Sequence, residues 1–424
     1  MRIQIKTALR YLLRAFGVLV AVFIALALLM VIVNGFDRRE SAQARLLSKS
    51  PPNRLADGLN IYVSLAQFYA PPDGSDAARA PLPWRGDTAF CDLGKPSFWH
   101  RAASHRDEIR RLSADNRELL RRYAALQLDT GYTVTARLGA PLSILAWPVA
   151  ARCVYLANLA LEARRGGVEA ASAALTGLSA DMAIWRHVRD GDGTLMASMM
   201  ALAWLREDYL LMADLVADRN TVLPSSDVVD RMLAAGDRDW DISNAFAAEF
   251  RFQSAFTRRT IAESPRRSWS DALGLHFFKV QATINLEATT MSELQTLART
   301  PPARFEESMK RFDAAHPNPS LARSPVYNPI GKILAQIAAP AYTSYVIQSH
   351  ELAANERMCA LAWQIRRQQI KAENIPAFMR AHPELATDPN DGHDFAWLPN
   401  MGELALHPRY RGVREFYVPV GRST

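Results

Sequence analysis

Apolar residues run unbroken through Ala15–Val33, AFGVLVAVFIALALLMVIV, 19 residues without a charged or strongly polar side chain. The charge-free run continues to Phe36. A helix rising about 1.5 Å per residue covers the roughly 30 Å of bilayer hydrocarbon over that length. The stretch therefore predicts one transmembrane helix, and the lipid bilayer is the first expected partner, through Ala15–Val33. A cleaved export signal carries only about 7–15 apolar residues and a small-residue cleavage site. Here the run is longer and is followed by Asn34-Gly35-Phe36-Asp37-Arg38-Arg39, so an uncleaved anchor is expected. Arg2, Lys6, Arg10 and Arg14 precede it, while Arg38, Arg39, Arg45, Lys49 and Arg54 follow, so the Lys/Arg counts of the two flanks nearly tie. A brief basic leader before the first apolar run favours a short cytoplasmic tail and an exported body.

Beyond the anchor the polar–apolar period is that of helices. Asn53–Ala70 reads as a short helix ending at Pro71-Pro72. The stretch 71–100 is rich in Pro and Gly and reads as a loop, pinned by Trp84, Phe90, Phe98 and Trp99. Ser104–Leu128 carries one apolar stripe, Ile109, Leu112, Leu119, Tyr123 and Leu126, with Asn116 completing the spacing, and predicts one helix. Val149–Arg164 and Val168–Val188 flank Arg165-Gly166-Gly167 and predict a helical hairpin with a glycine cap. Thr194–Ala217, Pro224–Ala235, Asp241–Glu263, Trp269–Leu286 and Ala303–Ala314 continue the helical reading. Asn328–His350 should be kinked or split at Pro340, with Glu351–Glu373 a further helix. Phe395–Leu398 and Glu403–Leu406 bracket Pro399-Asn400-Met401-Gly402 as a β-hairpin. No other window is long and apolar enough for a span. The apolar Met196–Leu205 is closed by Arg206, Glu207 and Asp208.

Charge changes this picture little. The formal net charge is +7, but four of the positive residues lie in the leader, leaving 46 basic against 43 acidic. The remaining arginines form scattered doublets, which suits solvated helix faces and gives no basic face for a nucleic acid. Only 7 of the 50 basic residues are Lys, a bias expected of a GC-rich bacterial genome. Cys91, Cys153 and Cys359 cannot all pair within one chain and form no C-x-x-C unit. One disulfide with one buried thiol, or three buried thiols, both fit.

Catalytic motifs do not emerge. His350-Glu351 lacks a second His, because Ala354 holds that place, so H-E-x-x-H is absent. Gly177-Leu178-Ser179-Ala180-Asp181 ends in Asp where a nucleophile elbow needs Gly, and it lies in helical sequence. No phosphate-binding glycine loop occurs. Asp388, Asn390, Asp391 and Asp394 alternate around Gly392 as calcium ligands would, yet an Asx turn feeding the hairpin explains the same residues. Asp190-Gly191-Asp192-Gly193 reads as a flexible helix connection. No catalytic, cofactor or metal residue is therefore assigned, and no cofactor is expected. Asp181, Trp185, Arg186 and Arg206 stand out as polar or aromatic residues inside apolar helices. They form either a buried Asp–Arg pair with Trp packing or a polar groove for a partner segment, with Met182, Met196, Met199, Met200 and Met212 nearby.

The C-terminal region adds Asp388-Pro389-Asn390-Asp391-Gly392-His393-Asp394-Phe395-Ala396-Trp397 after an Ala-, Leu- and Arg-rich helix. This D-P-x-x-G-x-x-F-x-W ending, with Asp181–Arg186 and Thr194-Leu195 upstream, resembles a group of large bacterial membrane-anchored helical proteins. The resemblance implies an architecture and brings no activity. The expected order is a basic tail (1–14), a transmembrane helix (15–36), a stalk and loop-rich connection (37–100), a helical body (101–315), and a C-terminal helical region with a hairpin (316–424). The expected fold class is mainly α. The expected role is an interaction or assembly factor with a protein partner in the bacterial envelope, single-pass in the inner membrane with a periplasmic body. An envelope hydrolase acting on lipid or cell-wall material, or a binder of apolar ligands, is the alternative.

Overall fold

A computed structural model describes residues 2–49, 55–70, 82–95, 97–134, 148–218, 222–234, 238–263, 268, 274–316, 326–406 and 416–420. The protein is mainly helical, with a small antiparallel sheet near the C-terminus. Its contacts gather into two discontinuous units. Unit 1 comprises Met1–Lys49, Phe250–Ser292 and His316–Tyr342; unit 2 comprises Ser50–Glu249, Glu293–Ala315 and Thr343–Thr424.

Unit 1 begins with α1 (Arg2–Val33). Within it Arg14–Val33 is long and apolar enough to cross a membrane, and none of that window is buried in the protein. The end of α1 is fixed by polar side chains. The Asn34 amide donates to Met30 O (2.8 Å) and Val326 O (2.7 Å), and its Oδ1 accepts from Asn328 N (2.8 Å). Asn328 adopts a left-handed conformation (φ 52°), which Asn tolerates better than most residues. Its Oδ1 accepts from Lys279 N (2.8 Å) and its Nδ2 donates to Thr283 Oγ1 (3.0 Å).

Residues 37–41, expected as part of a stalk, are instead seamed to a helix of the same unit. The Asp37 carboxylate accepts from Gln281 N (2.8 Å) and Ala282 N (2.9 Å). Those N–H groups lie in the first turn of the helix Val280–Ala298, where they have no intrahelical partner, so Asp37 caps it from elsewhere in the chain. Asn285 accepts from Ser41 N (2.9 Å) and donates to Arg39 O (2.8 Å). Ser41 then caps α2 (Ala42–Leu47) through Ala44 N (3.1 Å). The expected double proline at 51–52 lies outside the described residues.

Unit 2 is built on the hairpin of α3 (Val149–Ala163) and α4 (Val168–Asp190), with α5 (Leu195–Ala217) packed on α4. Gly166 and Gly167 have φ of 93° and 90°, a region closed to most L-residues, and they make the return possible. Ala157, Ala160, Ala171 and Ala174 are fully buried, and these small side chains let the two helices approach closely. The Asp190–Gly193 connection is not a loose link. Asp192 N donates to Tyr132 O (2.9 Å) and Val134 N donates to Asp192 O (3.1 Å). A Cβ at Gly191 would lie 2.1 Å from Tyr132 O, so the close approach requires glycine there.

The expected helix over 104–128 is divided into α6 (Arg106–Asp115) and α7 (Arg117–Ala125), then a 3₁₀ turn, Leu126–Leu128. Asn116 causes the break. Its amide accepts from Arg85 N (2.8 Å) and donates to Arg85 O (2.8 Å), pairing with the backbone of a neighbouring irregular segment instead of continuing the helix. Of the four aromatic pins Phe90, Phe98 and Trp99 are buried and Trp84 is half-buried; Phe98 and Trp99 lie in a helix, Phe98–Ser104, instead of the expected loop, and Trp99 Nε1 donates to Leu211 O (2.6 Å). Cys91 and Cys153 form a disulfide, and Cys359 is a buried thiol.

Two further expectations need correction. The helix placed at Trp269–Leu286 runs instead over Val280–Ala298; residues 269–273 lie outside the described set. Pro340 neither ends nor splits its helix, which is continuous over Pro329–Arg367. One proline deletes one rung of the hydrogen-bond ladder, and the turns on both sides carry the helix across. At the C-terminus the hairpin of β1 (Ala396–Leu398) and β2 (Glu403–Ala405) is present and gains a third strand, β3 (Tyr417–Pro419). Trp397 pairs with Leu404 and Leu404 with Val418.

The disulfide closes a chain loop with a sequence separation of 62 residues. In the chain-entropy model such a loop stabilises by about 4 kcal/mol. Replacing Cys91 and Cys153 together by Ser is expected to lower unfolding stability by an amount of that order, read as a drop in the denaturant midpoint. Wild-type protein unfolded with and without a thiol reductant should show the same difference.

Candidate functional site

Three helices of unit 2 bring a charged cluster into the protein interior. Arg152 projects from α3 and is buried, with 2% of its side chain exposed. Its Nε donates to Asp181 Oδ2 (2.9 Å), its Nη1 to Glu207 Oε2 (2.6 Å), and its Nη2 to Asp208 Oδ1 (2.6 Å) and Trp204 O (3.2 Å). Asp181 also accepts from Tyr123 OH (2.5 Å) and Trp185 Nε1 (3.1 Å). The guanidinium lies 5.2 Å from the Trp204 ring centroid, and Trp185 meets Trp204 edge to face at 3.8 Å. Burial alone would pull Arg152 down, but Asp208, Asp181 and Glu207 outweigh it and hold the guanidinium well above its ordinary value. Burial pushes Asp208 well above the usual carboxylate range; Asp181 and Glu207 add to this against the pull of Arg152.

Of the four residues singled out in the sequence, Asp181 and Trp185 meet in this cluster. Both are fully enclosed. Arg186 belongs to a neighbouring one, where its Nε donates to Asp239 Oδ1 (2.9 Å) and Oδ2 (3.0 Å). Arg189 also donates to Asp239, which accepts from Tyr209 OH (2.9 Å). Arg206 lies over the Phe416 ring, 5.0 Å from its centroid. The buried Asp–Arg pair with Trp packing is thus present, with Arg152 as the arginine. Arg152 carried a signal that the sequence reading passed over: it is one cation within the apolar helix VAARCVYLANLALEA. Met182 and Met212 are fully buried, whereas Met196 is exposed.

Elsewhere in unit 2 an open cleft of about 600 Å³ gathers Arg238, Arg299 and Arg357 around Glu356 and Trp240. These residues come from three separate stretches of chain, and Leu385 and Pro389 add a fourth to the lining. Arg238 pairs with Asp241 (2.7 Å), and Arg299 Nε donates to Ser243 Oγ (2.8 Å). Behind the cleft His350 stacks on Phe305 at 3.8 Å and leans on Trp240 at 5.0 Å. The His350 Nε2 lies 2.9 Å from Thr300 O. Sequence reading missed this assembly because no motif spacing links its members.

The 388–394 segment forms Asx turns: Asn390 N donates to Asp388 Oδ1 (2.8 Å) and His393 N to Asp391 Oδ1 (2.9 Å). Among the described residues no group of three or more His, Cys, Asp or Glu side chains is placed to hold a metal ion.

No protein-family description, curated protein or solved structure matches this chain.

Removing one partner of a buried ion cluster leaves an uncompensated charge and costs about 3–5 kcal/mol. Arg152→Met is expected to lose that much by denaturant unfolding. Adding Asp181→Asn and Asp208→Asn to the same chain should restore part of the loss, and no restoration would show that the charges are not coupled. In unit 1, burial raises Glu287 to about 7, and its Oε2 has no hydrogen-bond partner among the described residues. The folded state therefore holds this proton where the unfolded state releases it. Stability contributed by the neutral form is complete below about pH 4.5 and is lost as pH rises to about 7. Glu287→Gln should accordingly be more stable than wild type by about 3 kcal/mol at pH 8 and nearly equal to it at pH 4.

Proposed function

We propose that this chain is a single-pass, membrane-anchored protein of the bacterial envelope, with its helical body on the periplasmic side of the inner membrane, acting as an interaction or assembly factor. The observation that carries the reading is the open arginine-lined cleft on a disulfide-bonded body that follows an apolar span. Each part supports a different element of it. The span Arg14–Val33 supports the anchor. The Cys91–Cys153 disulfide supports the exported side, since such bonds persist in oxidising compartments and are rare in the cytosol. The cleft supports binding: it is concave, partly apolar and lined by a few convergent charged groups.

The lining also weighs against the apolar-ligand alternative. The three guanidinium groups favour a charged occupant over an apolar one.

Alkaline phosphatase fused after Thr424 is expected to be active in cells, and a green fluorescent reporter at the same place to be dark. Crosslinking followed by purification of the full chain from solubilised membranes should recover the same envelope protein in replicate preparations. A dark phosphatase with a bright fluorescent reporter would overturn the topology, and no reproducible partner would overturn the interaction role.

A further inference from the structure

The cleft in unit 2 carries more positive than negative charge among its described lining residues. Arg238 and Arg299 stand at its exposed edges and each keeps one partner, Asp241 and Ser243. Arg357 differs. It is partly buried, and among the described residues its guanidinium has Glu356 as an electrostatic neighbour but no hydrogen bond or ion pair. Burial pulls it below its ordinary value, with Glu356 opposing. Removing a guanidinium from water without a partner is costly, and a site that keeps one open is matched by an anion brought from outside.

Two further features have the same sign. Glu356 is the one acid among the described lining residues, against three arginines. Pro302 and Ala303 also line the cleft, and they are the first residues of the 14-residue helix Pro302–Ala315. A helix start carries a partial positive charge, although Pro302 at its first position supplies no backbone N–H donor. Between the arginines the wall is Trp240 with prolines, alanines and a leucine. A free phosphate would leave that apolar wall uncovered, whereas a peptide alternating acidic and apolar side chains covers both kinds of surface.

We propose that this cleft binds an acidic peptide segment of a partner protein, its carboxylates on Arg357 and Arg299 with Arg238 at the rim, and its apolar side chains against Trp240. The proposal rests on the interaction role given above and names the chemistry of the segment recognised.

Full-length protein in lipid nanodiscs is titrated into a fluorescein-labelled octapeptide of alternating Glu and Leu, and binding is read by anisotropy. Three competitors are added in parallel: the unlabelled peptide, its Gln–Leu analogue and inorganic phosphate. The expected result is saturable binding that weakens with added salt and is competed by the Glu peptide alone. Arg357→Gln should weaken it by about ten-fold or more. Arg299→Gln should weaken it too, which keeps the test open if the first variant fails to fold, while the exposed Arg111→Gln should leave it unchanged. Absence of binding, equal binding of the Gln–Leu analogue, or unchanged affinity in folded Arg357→Gln would overturn the proposal. Competition by phosphate as strong as by the Glu peptide would also overturn it, in favour of a small-oxyanion site. Crosslinking of Arg357→Gln separates the two readings. The same partner recovered as efficiently as by wild type would sink the cleft proposal and leave the interaction role standing.

Discussion

Unit 2 depends on how one buried cation is satisfied. Arg152 sits where water cannot reach, and every direction its guanidinium points must meet an acceptor. Those acceptors come from α4 and α5, while Tyr123 of α7 completes the shell around Asp181. Sliding either helix by one residue would move its carboxylate away and strand a charge in an apolar interior. Apolar packing alone tolerates such slips, because one alanine or leucine resembles another. The cluster therefore fixes the register of helices whose buried surfaces are otherwise interchangeable. Trp185 and Trp204 close around it and keep the local dielectric low, which strengthens both the attraction and the cost of losing it.

Much of the architecture is written in local sequence. The charge-free run of Ala15–Val33 and the Gly166-Gly167 return each depend on residues adjacent in the chain, and so does the hairpin around Pro399–Gly402. Asp181 and Trp185 were also legible as polar or aromatic residues inside an apolar helix. What escaped was non-local. Asn116 fits a helical stripe by spacing, yet its amide is claimed by Arg85, 31 residues earlier. Pro340 reads as a break, and the ladder on each side overrides it. Arg152 was one arginine among many until three carboxylates from two other helices surrounded it.

The cleft shows the same limit at longer range. Arg238, Arg299 and Arg357 are separated by about sixty residues at each step, and no spacing rule connects them. Each sits in a plain polar context. Only folding places them around a shared concavity, where their charges add. The two units extend the point: both are assembled from three separate stretches, so consecutive segmentation of the chain could not delineate them.

The seam at the end of α1 has a mechanical meaning. Asn34, Asp37 and the backbone of residues 39–41 are bonded to Val280–Ala298 and to the Val326–Asn328 turn of the same unit. Arg14–Val33 is long and apolar enough to cross a membrane, and residues 34–41 join it to these segments of unit 1 by hydrogen bonds. Were that helix to sit in a bilayer, any tilt of the rod would pass directly to those segments, and they would turn only as fast as the lipid lets the rod spin.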